Sequence, residues 1–226
     1  ASDVYKRQVW ETGRAGEEAA SYENLFLRKE IAGFRTNIRR EQSCSIKSLT
    51  RDYLYKQLLS SGEYTFDHML VIKDPYGEAP LTALALFILE EPACVRVTTK
   101  GNLKETDFVT ELPKKKEHRV PILGMYAEKA NDIVIEILDD EGNCVKSHTF
   151  TIRTKRLPKS LRNVITVKKW TDKPAYSNIM INGGVKIHTC VFDIEGKIRY
   201  YLSRKPRGYG IFPLSDGHFF YMEKYI

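Results

Sequence analysis

The chain has 226 residues, of which 36 are Lys or Arg and 29 Asp or Glu, leaving a formal charge of +7. Apolar residues at 42%, with only 14 Gly and 9 Pro, exclude a disordered, collagen-like or low-complexity chain and suit one or two packed domains. The longest apolar run, Leu81 to Leu89, is far shorter than the roughly 20 residues a membrane-spanning helix needs.

Residues 1–8 are set aside. The run Asp3 to Gln8 reads like the translation of a transposon end used to prepare sequencing libraries, and no Met begins the chain, so the natural start is expected upstream. Residues 9–62 are read as a helical extension. Over 17–40, Leu27, Ile31, Phe34 and Ile38 recur at helical spacing, while Glu17 and Glu18 suit the start and Arg39 and Arg40 the end. A second helix is predicted over Ser48 to Ser60, where Leu49 with Tyr53 and Leu54 with Leu58 are i, i+4 pairs and Gly62 can close it in a left-handed cap.

Residues 63–156 alternate short apolar runs with turns, the pattern of an immunoglobulin-like β-sandwich. His68 to Lys73 is a predicted strand, closed by the turn Asp74-Pro75-Tyr76-Gly77. Leu81 to Leu89, Cys94 to Thr99, Asp107 to Leu112 and His118 to Leu123 follow, and Lys114-Lys115-Lys116 between the last two reads as a solvated loop. The clearest hairpin joins Asp132 to Leu138 with Cys144 to Thr154 through Asp139-Asp140-Glu141-Gly142-Asn143. Seven strands are expected in all.

Lys155 to Arg162 is basic and carries Pro158, so it reads as a linker. Over 157–226 a second β unit is predicted, with strands Val164 to Trp170, Val185 to Ile194, Lys197 to Ser203 and Gly208 to Tyr225. Its turns fall at Asn182-Gly183-Gly184, Ile194-Glu195-Gly196 and Ser215-Asp216-Gly217. The unit stops on a strand, which would leave an open edge, so a truncated C-terminus is expected.

Charge is uneven: +3 over 1–60, −2 over 61–160 and +6 over 161–226. The basic residues are scattered through strand-like sequence with no basic helix or recognition motif, so no nucleic-acid partner is assigned. Cys44, Cys94, Cys144 and Cys190 lack any chelating spacing and are read as buried free thiols, although four cysteines allow three full disulfide pairings and the sequence selects none.

The stretch from Asp74 to Leu84, then Glu91-Pro92-Ala93-Cys94-Val95-Arg96-Val97, Lys100-Gly101, Glu117 to Tyr126 and Asp140-Glu141-Gly142-Asn143, closely resembles the N-terminal domain of bacterial arylsulfate sulfotransferases. Val191 to Leu202 is similar to the opening propeller blade of that family. The resemblance implies a mainly β protein: an N-terminal helical extension, an immunoglobulin-like β-sandwich, then the first blade or blades of a truncated six-bladed β-propeller. It further implies export to the periplasm, a homodimer, and transfer of a sulfuryl group from an aryl sulfate ester to a phenol through a propeller histidine. The family's catalytic histidines and their arginine partner lie on later blades, so no catalytic residue is carried over. The alternative is an Ig-like binding module attached to an unrelated propeller or surface protein.

Candidate sites are few. His68, His118, His148, His188 and His218 form no metal-ligand spacing, His188 reads as mid-strand, and no Gly-x-Ser-x-Gly or phosphate-cradling loop occurs, so no metal or cofactor is assigned. Tyr126 is the candidate substrate-binding residue, because in the resemblance the Gly-x-Tyr after a Pro-bearing strand faces the propeller mouth, where a phenol could touch a sulfate ester or aromatic acceptor. The other reading packs Tyr126 within the sandwich or at the interdomain seam, with Gly124 a backbone requirement of the same loop.

Overall fold

A computed structural model describes residues 43–168, 178–181, 188–203, 211–213 and 219–221. The helix expected over 17–40 and the turns at Asn182 and Ser215 lie outside them. The described part is mainly β and antiparallel, as the Ig-like reading requires.

Helix α1 spans Ser43–Ser60, five residues longer at its start than expected. It ends as anticipated: the Gly62 amide donates to the Leu59 carbonyl at 3.2 Å, and Gly62 takes φ +73°. The predicted i, i+4 pairs do not mark the most buried positions. Tyr55 and Leu59 are buried, whereas Tyr53 is 66% exposed. Polar contacts set this rotation. The Tyr55 hydroxyl donates to the Pro75 carbonyl at 2.5 Å, and Asp52 accepts both from Tyr76 Oη at 2.6 Å and from Arg119.

The sandwich strands are β1 (Leu70–Lys73), β2 (Ala83–Thr99), β3 (Phe108–Ile122), β4 (Ala130–Leu138) and β5 (Cys144–Arg153). Five strands replace the expected seven because β2 and β3 each fuse two predicted ones. The first half of β2 pairs with β1 and its second half with β4, while β3 runs along both halves on the opposite side. Register shifts between Ile88 and Val95 coincide with Pro92 on β2 and Pro113 on β3. Proline has no amide to give the ladder, so it is tolerated at such irregularities and not in a regular central strand. Lys114, Lys115 and Lys116 therefore lie within a strand and not in a loop, exposed as expected, and Lys114 pairs with Asp140 at 2.5 Å.

Burial on β2 explains its unbroken apolar run. Ala83, Ala85, Phe87 and Leu89 face the sandwich core, while Leu84 and Leu86 pack beneath Tyr55 and Leu59 of α1. A strand covered on both faces loses polar alternation. Two turns behave as read: Gly77 (φ +72°) closes 74–77 by donating to the Asp74 carbonyl at 2.9 Å, and the β4–β5 hairpin closes at Asp139–Asn143.

The chain leaving β5 is no free linker. Leu161, in a short 3-10 turn at Lys159–Leu161, is fully buried in the main core. Residues 164–168 form no strand. Their apolar side chains still find partners: Ile165 packs on the main core, and the Val167 and Ile165 methyls lie against Gly196. Strands β6 (Asn178–Ile181), β7 (Cys190–Asp193) and β8 (Ile198–Tyr201) form an antiparallel sheet, and β9 (Ile211–Pro213) pairs with β10 (Phe219–Tyr221). Cys190, Phe192, Ile198 and Tyr201 belong to the same apolar cluster as the sandwich interior, so one core runs through both units. Cys94, Cys144 and Cys190 are free thiols, but of these Cys190 alone is buried, with Cys94 half-buried and Cys144 exposed.

Candidate functional site

A buried polar cluster lies where two loops of the sandwich meet the β7–β8 hairpin. After β2, the chain turns through Gly101 and a 3-10 turn at Lys104–Thr106. Thr106 closes that turn, its Oγ1 donating to the Leu103 carbonyl at 2.9 Å and accepting from the Leu103 amide at 3.2 Å. Gly101 is required by proximity: a Cβ there would stand 2.2 Å from Thr106 Oγ1 and 2.5 Å from the Thr106 carbonyl carbon. Its amide donates to Asp107 Oδ1 at 2.7 Å.

After β3 comes the loop Gly124-Met125-Tyr126. Gly124 takes φ +76°, and a Cβ would meet Phe108 Cβ at 2.7 Å, so both conformation and space demand glycine. The Tyr126 backbone is clamped by Asn131, which is 1% exposed. Asn131 Oδ1 accepts from the Tyr126 amide at 2.7 Å, and Nδ2 donates to the carbonyls of Tyr126, Lys129 and Ile152 at 3.0, 3.1 and 3.3 Å. Thr154 Oγ1 donates to the Tyr126 carbonyl at 2.5 Å. The phenol then projects in one direction, against the hairpin.

On the hairpin, Asp193 is fully buried and uses both carboxylate oxygens. Oδ1 accepts from the amides of Glu195 and Lys197, each at 3.0 Å, which shapes the turn. Oδ2 accepts from the Tyr126 hydroxyl at 2.8 Å and from Arg199 Nη1 at 3.3 Å. Gly196 at φ +76° completes the turn.

Arg199 is also fully buried. In the β7–β8 ladder Val191 pairs with Tyr200 and Phe192 with Ile198, so Arg199 is the unpaired residue of a β-bulge. A bulge re-aims a side chain. Here the guanidinium crosses the seam, with Nε donating to the Gly124 carbonyl at 2.6 Å and Nη1 to the Thr106 carbonyl at 2.7 Å and Tyr126 Oη at 3.0 Å. Its Cζ lies 4.0 Å from the centroid of the Tyr126 ring, a cation–π distance.

The sequence-predicted residue Tyr126 is therefore at the seam and 5% exposed. Its hydroxyl, besides donating to Asp193, accepts from Arg199 and from the Asn102 amide at 3.1 Å. Burial first, then the bond to Asp193, pushes the phenol above its ordinary value of 10.0, outweighing the hydrogen bonds with Thr106 and the Asn102 amide and the Arg199 charge, so it stays protonated at neutral pH. The cluster thus fixes the geometry of the seam. Asp193 and Arg199 carry no sequence-derived role. The signals that could have found them are an Asp three residues before a turn glycine and a lone Arg inside an apolar strand.

The histidines sit on separate elements. His118 is 2% exposed, stacks on Phe87 at 5.3 Å, and donates from Nε2 to the Lys115 carbonyl at 2.8 Å. His148 lies beside Phe66 and Phe150. His188 precedes β7 instead of lying mid-strand, and its Nδ1 donates to the Leu202 carbonyl at 2.7 Å. His68 is exposed, and His218 lies outside the described residues. Among the described residues, no group of three His, Cys, Asp or Glu side chains is arranged to hold a metal ion, and no helix is long and apolar enough to cross a membrane.

Residues 70–155, from β1 to just past β5, match the family model of the arylsulfotransferase Ig-like domain. That match supports the arylsulfotransferase family, and the antiparallel strands β1 to β5 are consistent with its Ig-like domain. No curated protein matches the chain.

Proposed function

We propose that this chain is the N-terminal part of an arylsulfate sulfotransferase, whose Ig-like domain packs on the start of a β-propeller. The observation that carries the reading is the family match over 70–155, joined to the hairpin sheet packed directly behind it. In this reading an imidazole on blades that these residues do not include attacks the sulfur of a phenolic sulfate ester, and the phenolate leaves. An acceptor phenol then attacks the same sulfur, loses its proton and releases the imidazole. The sulfuryl group passes through a loose state with charge spread on its oxygens, so the protein's task is positioning and anion stabilisation. A substrate contact by Tyr126 would require its phenol to leave Asp193 and Arg199. The geometry favours a joint role instead, with Tyr126 holding the Ig-like domain against the hairpin.

The test expresses the complete reading frame and assays phenol release from a chromogenic aryl sulfate with a phenol acceptor. The expected result is ping-pong turnover by the complete protein and none by residues 9–226. Turnover by residues 9–226 alone would contradict the assignment of the nucleophile. An Ig-like binding module on an unrelated protein is the second reading, favoured by the match ending at residue 155. A complete protein without aryl sulfate turnover would support it. Export and dimer formation belong to the first reading and are tested by cell fractionation and by mass measurement of the complete protein in solution.

A further inference from the structure

We infer that the Ig-like domain is a receptor surface for an Asp-x-x-Gly-x-x-Arg hairpin, and that the hairpin turn and the seam form as one event. The receptor consists of the Gly124 and Thr106 carbonyls, the Tyr126 phenol and the Asn102 side chain. The hairpin supplies the matching chemistry from Asp193, Glu195 and Arg199, since Asn102 Nδ2 also donates to Glu195 Oε2 at 3.1 Å.

One carboxylate has two obligations. Asp193 Oδ1 holds the amides of Glu195 and Lys197, and Oδ2 holds Tyr126 and Arg199 across the seam. The group is planar and fully buried, so it cannot rotate to improve one set without losing the other. Arg199 carries the same coupling, because its aim depends on the bulge that the turn places between β7 and β8. In a low-dielectric seam the carboxylate, phenol and guanidinium reinforce one another, and any one left alone is costly. A surface that reads the turn in this way admits the folded hairpin and rejects the open one. This holds whatever chemistry the complete protein performs.

Amide hydrogen exchange on the full 226-residue chain tests it. Tyr126→Phe keeps the ring and removes the bond to Asp193, together with the oxygen that accepts from Arg199 and the Asn102 amide. The expected result is faster exchange at Glu195 and Lys197, about tenfold or more for the loss of charge-assisted bonds, while Ile133 and Ile135 stay protected. Tyr76→Phe removes a similar bond at the α1 contact and should leave Glu195 and Lys197 unchanged. Coupling is reciprocal, so Gly196→Ala, which strains the turn, should speed exchange at the Asn102 amide, the donor to Tyr126 Oη. Unchanged exchange at Glu195 and Lys197 in folded Tyr126→Phe overturns the inference, as does an equal effect from Tyr76→Phe. Should Tyr126→Phe not fold, the Gly196→Ala result decides: unchanged exchange at Asn102 overturns it and faster exchange supports it.

Discussion

Arg199 and Tyr126 meet twice across the seam: the guanidinium carbon stands 4.0 Å from the phenol ring centroid, and Nη1 donates to the phenol oxygen at 3.0 Å. The arginine is a residue of β8 and the tyrosine a residue of the loop after β3, so the two contacts join the two units through a single pair.

Arg199→Met should destabilise the chain by about 3 kcal/mol or more, because it leaves the Asp193 carboxylate buried without its cation. Asp193→Asn in the same chain should cost less than the sum of the two single changes, since neither charge is then stranded. Urea denaturation of the two single variants and the double variant measures the difference. Strict additivity would mean that the pair is not coupled.

Asn131→Asp, which swaps one amide nitrogen for oxygen, should cost about 3 kcal/mol. A buried carboxylate would then face the carbonyls of Tyr126, Lys129 and Ile152 where an amide now donates. The expected readouts are a lowered thermal midpoint and loosened exchange at the Tyr126 amide.

Glycine substitutions separate crowding from backbone strain. Gly142→Ala meets nothing within 4 Å and suffers only φ +84°, so about 1 kcal/mol is expected. Gly101→Ala needs no unusual φ but drives a methyl to 2.5 Å from a backbone carbon, so about 3 kcal/mol is expected. Equal losses in thermal melts would refute the distinction.

Stability should fall on mild acidification. Burial holds the His118 imidazole below its ordinary value of 6.5, and burial does the same to His148. An unfolded chain therefore binds a proton near pH 6.5 that the folded chain refuses, so this contribution is complete above that value and lost as pH falls towards the folded pKa. Denaturation midpoints at about pH 7.5 and about pH 5 should show the decline, and His118→Phe should reduce it.

Much of the sandwich is legible in the sequence because its signals are local. The turns at Asp74–Gly77 and Asp139–Asn143 and the Gly62 cap all follow from neighbours within a few residues. Legibility fails wherever distant partners decide. The face of α1 is chosen by Pro75 and Arg119, not by its own leucine pairs. The predicted strands leave Pro92 and Pro113 between them, whereas each lies inside one long strand at a shift in register. Asp193 and Arg199 look like an ordinary turn and strand because their partners lie 67 to 93 residues away.

The match to the family model stops at residue 155, yet the packed interior also takes in Leu161, Cys190, Phe192, Ile198 and Tyr201. Trimming the chain at the former point would strand the Thr106 and Gly124 carbonyls and open the sandwich floor to water. Grafting this domain onto a foreign protein accordingly calls for carrying the first hairpin along with it.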